Sequence, residues 1–257
     1  MRSRIIEEYK SALHLSSVQR EALVGLLLGD ACLETQNRGR TYRLKIEQCA
    51  RRHAYVYHLY SLFQEWVLTP PSARTKLAAN GTVSTNLAFQ TVSHSAFRFY
   101  AQQFYADGRK RVPELIHHWL TPRGLSYWYM DDGSLKSSQS KGVILNTHGF
   151  EQLQVERLAR ALWDCFGLQV TARRQPDGVQ LYVSGRSFET FSAIVEPHVI
   201  PEMRYKVPVA RRTACLKSNG GAQRFPQAGW KSAAECIGTR ELDCEAYTPS
   251  RDESRAK

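Results

Sequence analysis

The amino-acid sequence predicts an α+β fold made of two pseudo-symmetric copies of one α-β-β-α-β-β-α unit. Two apolar helical segments end in Gly29-Asp30 and in Asp131-Asp132, and the segment from Leu23 to Asp30 aligns without a gap with that from Leu125 to Asp132. The same order of strand, helix, hairpin and helix follows each segment. A pattern that recurs at the spacing of a domain indicates an internal duplication.

Composition narrows the class of protein. The chain has 257 residues, with 35 Lys and Arg against 24 Asp and Glu, a net charge of +11 and a pI near 9.5. Such an excess favours a polyanionic partner. No apolar run approaches the length of a membrane span, so nucleic acid is the better prediction. The N-terminus lacks the apolar core of a secretory signal, which predicts an intracellular protein.

Cysteine and histidine give no sign of a metal centre. The cysteines show no CxxC spacing, and we expect free thiols. His117 and His118 are adjacent, so they cannot share one helix face as zinc ligands would. The six cysteines are Cys32, Cys49, Cys165, Cys215, Cys236 and Cys244.

The first unit begins with a helix and a half-buried strand. Ser16 and Gln19 match a capping box, and Gly29 ends the apolar segment that follows, which predicts a helix between these signals. The stretch RTYRLKIEQ then alternates polar with apolar residues, as a strand with one buried face does. Its exposed positions are Thr41, Arg43 and Lys45.

Two helices and a hairpin complete the first unit. HAYVYHLYSLFQEWV and SAFRFYAQQFY predict the helices. Asn80-Gly81, in the middle of ARTKLAANGTVSTNLAFQTV, is a strong β-hairpin signal. The basic segment GRKRVPE closes the unit.

The second unit opens with a helix that has clear ends. Thr121 is a natural N-cap, Pro122 suits the first helical position, and Gly133 stops the helix. Asp131 and Asp132 therefore lie at the C-terminal end, where exposed carbonyls already carry a partial negative charge. We expect a positive group nearby.

The rest of the second unit repeats the first. KGVILNTHGF predicts a strand, EQLQVERLARALWDCFG a helix, QVTARRQPDGVQLYVSG a hairpin that turns at Asp177-Gly178, and SFETFSAIVEPHV a helix before the basic MRYKVPV. The polar, basic and lightly aromatic faces of these strands suit nucleic acid, although a merely solvated face is the alternative. The predicted segments are a lead-in at 1–15, units at 16–119 and 120–209, and a loosely ordered extension at 210–257.

LVGLLLGDA and LSYWYMDDG resemble the motif of the LAGLIDADG homing endonucleases. Together with EWVLTPP, VILNTHGF and VIPEMRYKVP, in that order, they resemble in particular the monomeric double-motif branch that includes the omega-intron endonuclease. The resemblance covers residues 16–209. Two features depart from the family pattern: Gly29 stands where the second motif has Asp131, and Tyr127 and Trp128 replace the small residues that usually let the motif helices pack closely.

The resemblance implies a saddle of antiparallel sheets around two central motif helices, with Asp30 and Asp132 brought together as catalytic metal ligands. Two adjacent carboxylates repel unless a cation lies between them. Mg²⁺, with Mn²⁺ as a substitute, suits a pair of carboxylates completed by water and phosphate oxygens. The implied reaction is hydrolysis of one phosphodiester on each DNA strand across the minor groove.

Supporting groups are also implied. Lys110 and Lys206, each at the end of a unit, could offset the charge of the reacting phosphate, with Arg109 or Arg111 as alternatives to Lys110. Asp131 is expected to act on the metal indirectly.

Two amides, Gln48 and Asn146, could orient water. Strict alternation puts Gln48 on the apolar face, so its role would require the strand to end or bulge near Glu47. For either amide, a structural role is the alternative.

The expected partner is double-stranded DNA with a long, non-palindromic site, bound by a monomer. Intron RNA is a second candidate partner, because an RNA maturase has the same fold; a cleavage-dead DNA-binding protein is another alternative. Retention of Asp30 and Asp132 favours the enzyme. An organelle is the expected compartment if the gene lies in an organellar intron, and the cytoplasm otherwise. The predicted DNA-binding residues are Arg38, Arg40, Arg43, Lys45, Arg74, Lys76, Ser84, Asn86, Gln90, Arg173, Gln175, Gln180 and Tyr182.

Overall fold

Two four-stranded antiparallel sheets with the same connectivity form the framework of the protein. The computed structural model describes residues 2–77, 81, 83–137 and 139–207. The predicted turn residue Asn80, the predicted extension at 210–257 and Cys215, Cys236 and Cys244 lie outside this part of the chain. None of the helices in the described residues is long and apolar enough to cross a membrane.

The first half of the chain contains most of the helices. Its elements are α1 (Arg2–Ser11), α2 (Ser17–Leu28), β1 (Cys32–Glu34), β2 (Arg43–Cys49), α3 (His53–Leu62), β3 (Ser72–Leu77), β4 (Val83–Gln90), α4 (Arg98–Phe104), β5 (Tyr105–Ala106), β6 (Arg109–Lys110) and α5 (Ile116–Trp119).

The second half repeats the order of the main elements. These are α6 (Pro122–Asp132), β7 (Gly133–Leu135), β8 (Val143–Asn146), α7 (Gln152–Phe166), β9 (Val170–Gln175), β10 (Gly178–Val183) and α8 (Phe188–Val195). A 3₁₀ segment, Pro201–Lys206, follows.

The strand orders are β1-β2-β4-β3 and β7-β8-β10-β9. This identity confirms the predicted duplication and the α+β class. The sequence marks β1 and β7 only weakly because each has three residues. The small β5–β6 sheet, which holds Lys110, was not predicted: its strands are too short to show a period.

Local signals set the ends of α2 and α6, the two motif helices. Ser16 Oγ accepts a hydrogen bond from the backbone N–H of Gln19, whose side chain accepts one from the backbone N–H of Ser16, which confirms the capping box. Thr121 Oγ1 accepts a hydrogen bond from the Gly124 N–H at 3.1 Å, and Pro122 occupies the first turn.

The motif helices pack with their backbones in direct contact. A Cβ added at Gly25 would lie 2.0 Å from the carbonyl oxygen of Gly124, a distance that no side chain tolerates. Tyr127 and Trp128 do not prevent this approach, because the backbone N–H of Trp128 borders the contact while both side chains are buried in the core. Close packing therefore depends on Gly25, the counterpart of Tyr127 in the first motif, and on Gly124, which lies just before the second motif.

The sheets bury one face and expose the other. Leu44 and Ile46 in β2, and Leu181 and Val183 in β10, point into the core. Gly81, in the first hairpin turn, has φ of +79°, a left-handed conformation that favours glycine. The predicted alternation is confirmed in β2 and in the second half of β10, where it sets the polar residues on the opposite face. It is wrong for β9, an edge strand in which Ala172 is as exposed as its polar neighbours.

Candidate active site at the ends of the motif helices

The site begins with three aspartates where α2 and α6 end. Asp131 is 5% exposed, and its Oδ2 accepts a hydrogen bond from the Asp30 N–H at 3.2 Å. A Cβ at Gly29 would lie 2.4 Å from the same oxygen. The two motifs differ here in a complementary way: glycine at position 29 in the first motif leaves the space that the carboxylate of Asp131 in the second motif fills.

Gln48 connects the carboxylates of the two helices. Its Nε2 donates to Asp30 Oδ2 at 2.7 Å and to Asp131 Oδ1 at 3.3 Å. Arg52 Nη1 donates to Gln48 Oε1 at 3.0 Å and lies 3.9 Å from Asp30 Oδ2. Sequence reasoning missed Arg52; its only signal is its place one helical turn after Gln48, at the junction of β2 and α3.

The condition that β2 must end or bulge near Glu47 for Gln48 to reach the site is wrong. The pairing of β2 with β4 is continuous from Lys45↔Gln90 to Cys49↔Asn86, so β2 has no bulge. Gln48 lies on the buried face with Ile46, as alternation requires. It still reaches Asp30, because this face packs against the ends of the motif helices.

Two lysines cap the same helix ends. Lys110 Nζ donates to the Gly29 carbonyl at 2.6 Å, and Lys206 Nζ donates to the Met130 carbonyl at 2.5 Å. Burial lowers the pKa of both ammonium groups, that of Lys206 to about 8. These are positive groups of the kind expected beside carboxylates at a helix C-terminus.

Lys110 is the member of its basic segment that reaches the site. Arg111 donates from Nε to the Gln103 carbonyl and from Nη2 to the Gln102 carbonyl, both at 3.0 Å, and so caps α4. Arg109 is exposed. The β5–β6 pairing explains the choice, because it turns alternate side chains to opposite sides.

Burial and mutual repulsion disfavour the ionised carboxylates. Burial, followed by the Asp30 charge, raises the pKa of Asp131 to about 8, and an interaction with the phenol of Tyr55 partly opposes this rise. The same two causes raise the pKa of Asp132 to about 7, opposed by Lys110. A cation between the carboxylates would relieve this repulsion.

Asp30 and Asp132 could hold a divalent cation that needs few protein ligands. Within the described residues, no group of three or more His, Cys, Asp or Glu side chains could hold a metal. Mg²⁺ needs only one or two carboxylates and keeps several waters. Asp132 and Lys110 line a cavity of about 250 Å³, and the Asp30 side chain is 44% exposed. There is therefore access for water and phosphate.

The two halves of the site are not equivalent. Cys32, two residues after Asp30, pairs with Lys45, and Ser134, two residues after Asp132, pairs with Ile144. Lys45 and Ile144 therefore occupy equivalent positions in the two sheets. Gln48 lies three residues after Lys45 and Thr147 three residues after Ile144, so Thr147, and not Asn146, is the counterpart of Gln48. Thr147 is buried and donates to the Val179 carbonyl at 2.6 Å.

Asn146 lies on the exposed side of β8 instead. Its Oδ1 accepts a hydrogen bond from Gln180 Nε2 at 2.8 Å. It lines the same cavity as Asp132, so it can still contact water there.

Most predicted DNA-binding side chains share the exposed sheet faces. Arg43 and Lys45 both pair with Glu34 at 3.0 Å, and the Arg173 guanidinium lies 3.6 Å from the Tyr182 ring centroid. Arg38 and Arg40 lie in the loop between β1 and β2. The side chain of Lys76 is not among those that the structure describes. The remaining predicted residues on these faces are Arg74, Ser84, Asn86, Gln90, Gln175 and Gln180. Their contacts with DNA stay a prediction.

Residues without a place in the site behave as ordinary surface or core groups. His117 and His118 are exposed, Cys32 and Cys49 are free thiols, and the Cys165 thiol donates a hydrogen bond to the His117 carbonyl at 3.1 Å.

The two copies of the unit thus bring the aspartates of both motif helices close enough to interact. Residues 20–191 match the family model described as the LAGLIDADG DNA endonuclease family. The chain belongs to this family, as its two motifs predicted.

Individual relatives agree with this assignment. The chain is 31% identical over 211 residues to "Probable intron-encoded endonuclease 1" of Wickerhamomyces canadensis, covering 80% of this chain and 90% of that protein. It is similar to the solved structure of the homing endonuclease I-WcaI bound to its DNA recognition sequence, with a TM-score of 0.75, 30% identity and coverage of 79% and 91%. It is also 27% identical to the cytochrome b mRNA maturase bI2 of Debaryomyces hansenii, covering 73% and 72%.

Proposed function

We propose that the protein is a Mg²⁺-dependent, site-specific double-strand DNA endonuclease of the intron-homing type that acts as a monomer. The observation that supports this most is that Asp30 and Asp132 lie at neighbouring helix ends, close enough for their charges to interact. Gln48 and Asp131 both form hydrogen bonds with Asp30. The relatives named as an intron-encoded endonuclease and as a homing endonuclease bound to DNA support the same substrate.

Asp30 and Asp132 would hold the metal. When bound, a divalent cation lowers the pKa of the attacking water and stabilises the leaving 3′ oxygen. The protein contributes orientation: Gln48 fixes the Asp30 carboxylate by a hydrogen bond, and Arg52 fixes Gln48. Asp131 ties the two helices together and so keeps the carboxylates at a constant separation.

Lys110 and Lys206 would offset the charge that builds up on the reacting phosphate. Each ammonium is already held by a helix-end carbonyl, so it loses little freedom when the substrate arrives. Partial desolvation makes the charge of Lys110, which lines the cavity beside Asp132, more effective toward a phosphate there.

One chain supplies both halves of the site, which favours a monomer and a target whose halves differ. The decisive experiment is selection of cleaved sites from a randomised duplex library in the presence of Mg²⁺, followed by sedimentation of the complex with a selected site. One chain on a long, non-palindromic site is the expected result. Two chains per duplex, a strictly palindromic site, or equal cleavage in EDTA would contradict the proposal.

RNA maturation is a second candidate function, favoured by the similarity to a cytochrome b mRNA maturase. The variant Asp30→Asn distinguishes RNA maturation from DNA cleavage. If maturation is the activity, Asp30→Asn should keep it, because RNA binding does not need the carboxylate. An endonuclease loses cleavage in the same variant.

A further inference from the structure

The exposed faces of the two sheets differ in charge. The face of the first sheet carries two carboxylates, Glu34 in β1 and Glu47 in β2, beside Arg43 and Lys45. The strand positions that form the corresponding face of the second sheet, all of which the structure describes, carry no Asp or Glu. A carboxylate repels the phosphate backbone of DNA, so its presence on a DNA-binding face needs an explanation.

Glu34 holds two cations at once. Its Oε2 accepts hydrogen bonds from Nε and Nη2 of Arg43 at 3.3 and 3.0 Å, and its Oε1 accepts one from Nζ of Lys45 at 3.0 Å. Partial burial raises the pKa of Glu34, but the hydrogen bonds from Lys45 and Arg43 outweigh this effect, and the net pKa is lowered. Glu34 is therefore ionised at neutral pH, and it restrains both cations.

The pairing leaves one end of the Arg43 guanidinium for a base. Glu34 occupies the edge formed by Nε and Nη2, so the end formed by Nη1 and the second hydrogen of Nη2 stays open. That end can donate two parallel hydrogen bonds to O6 and N7 of a guanine. A phosphate in the same place would be repelled by the Glu34 carboxylate, whereas a base edge brings no negative charge. The arrangement therefore favours a base over the backbone.

The main cation of the second sheet face is held in another way. The Arg173 guanidinium lies 3.6 Å from the ring centroid of Tyr182. Among the described residues, it forms no ion pair with a carboxylate. Nothing of this kind on the second face opposes a phosphate contact, so the restraint by a carboxylate distinguishes the first face.

We propose that Glu34 is a specificity-determining residue, which positions Arg43 to read one guanine in the half-site bound by the first sheet. It also limits the binding of Arg43 and Lys45 to phosphates of unrelated DNA. This inference rests on the proposed endonuclease function and deepens it, because it assigns discrimination at one base pair to a side chain that itself disfavours DNA.

The test uses the full chain and Glu34→Gln, which removes the charge at nearly constant volume. Glu189→Gln, at an exposed position of α8 and outside both sheets, removes the same charge and is the matched control. Each protein selects cleaved sites from a randomised duplex library with Mg²⁺. Fluorescence anisotropy without Mg²⁺ then measures binding to the parent's selected site and to an unrelated duplex over a range of salt concentrations.

Glu34→Gln should lose the preference for guanine at one position by about five- to a hundredfold, the discrimination of one bidentate contact. Its affinity for the unrelated duplex should rise and depend more steeply on salt, because the released cations can contact phosphates. Arg43→Ala should lose the same position, and the double variant should lose no more there than Arg43→Ala does. Cleavage of the parent's site by Glu34→Gln shows that the variant is folded, and Glu189→Gln should match the parent throughout.

Three results would overturn the inference while the proposed function stands. The first is an unchanged preference at every position in Glu34→Gln. The second is a uniform loss of affinity for all duplexes, which would make Glu34 a structural support. The third is a lost position that Arg43→Ala retains, because Glu34 would then contact the base itself. A parent protein that selects no site would contradict the proposed function, and this inference with it.

Discussion

Gly25→Ala should destabilise the protein and reduce cleavage together, because Gly25 sets the distance between the motif helices. The added Cβ would lie 2.0 Å from the Gly124 oxygen, so the helices must separate by about 1 Å to reach van der Waals contact. Overpacking lowers the free energy of unfolding by about 1–3 kcal/mol. A clash with a backbone carbonyl belongs at the upper end of this range, because the backbone cannot move aside as a side chain can. The higher helix propensity of alanine relative to glycine offsets about 1 kcal/mol of this loss.

The net loss is therefore about 2 kcal/mol, which lowers the melting temperature by about 4–8 °C in a protein of this size. A displacement of about 1 Å at reacting groups can cost a hundredfold in rate. Thermal unfolding and single-turnover cleavage measure the two effects.

Gly124→Ala is the matched control. Its Cβ would lie 3.1 Å from the Glu21 carbonyl, a contact that small adjustments relieve, so stability should change little. The reasoning is refuted if Gly25→Ala stabilises the protein as an unhindered Gly-to-Ala change in a helix does, or if the two variants behave alike.

Three further predictions follow from the site. Arg52→Ala should slow cleavage of one strand by about ten- to a hundredfold and let nicked duplex accumulate, because only the Asp30 half has this support. Arg43→Ala and Arg173→Ala should each weaken DNA binding by about 1–3 kcal/mol wherever the residue contacts a guanine, with little change in melting temperature. Mg²⁺ should raise the melting temperature more at pH 8 than at pH 6, because the metal needs ionised carboxylates and the pKa of Asp132 is raised to about 7.

The sign of the pH effect follows from proton binding. Between the pKa of an unfolded aspartate, near 4, and about 7, the folded state binds more protons at Asp132 than the unfolded state. Without metal, stability should therefore fall as pH rises through this range.

Equal Mg²⁺-induced shifts in melting temperature at both pH values would contradict the assignment of Asp132 as a metal ligand. Equal slowing of both strands by Arg52→Ala would contradict the unequal halves, and a sharp fall in melting temperature at unchanged affinity would show that Arg43 or Arg173 does not face DNA.

Local signals in the sequence were sufficient for the main elements of the fold. The capping box at Ser16, the Thr121-Pro122 start and the hairpin signals depend on neighbouring residues, so they could be read directly. The resemblance of both helix ends to the family motif then implied Asp30 and Asp132 as the candidate pair.

Contacts between distant segments could not be read in this way. Alternation placed Gln48 correctly on the buried face of the sheet, but it could not show that this face packs against the helix end that carries Asp30. Lys110 could not be separated from its arginine neighbours, because the short β5–β6 pairing that orients it leaves no period in the sequence. The backbone contact of Gly25 with Gly124 joins positions that the alignment of the two motifs does not pair.

Cleavage of a selected target by Asp30→Asn and Asp132→Asn tests the central claim most directly. Asp164→Asn, at an exposed position on α7, is the matched control. DNA binding should persist in both variants, because affinity comes mainly from phosphate neutralisation. Each variant should lose double-strand cleavage in Mg²⁺, whereas the control should cleave normally. Full double-strand cleavage by either active-site variant would show that the paired carboxylates do not perform the chemistry.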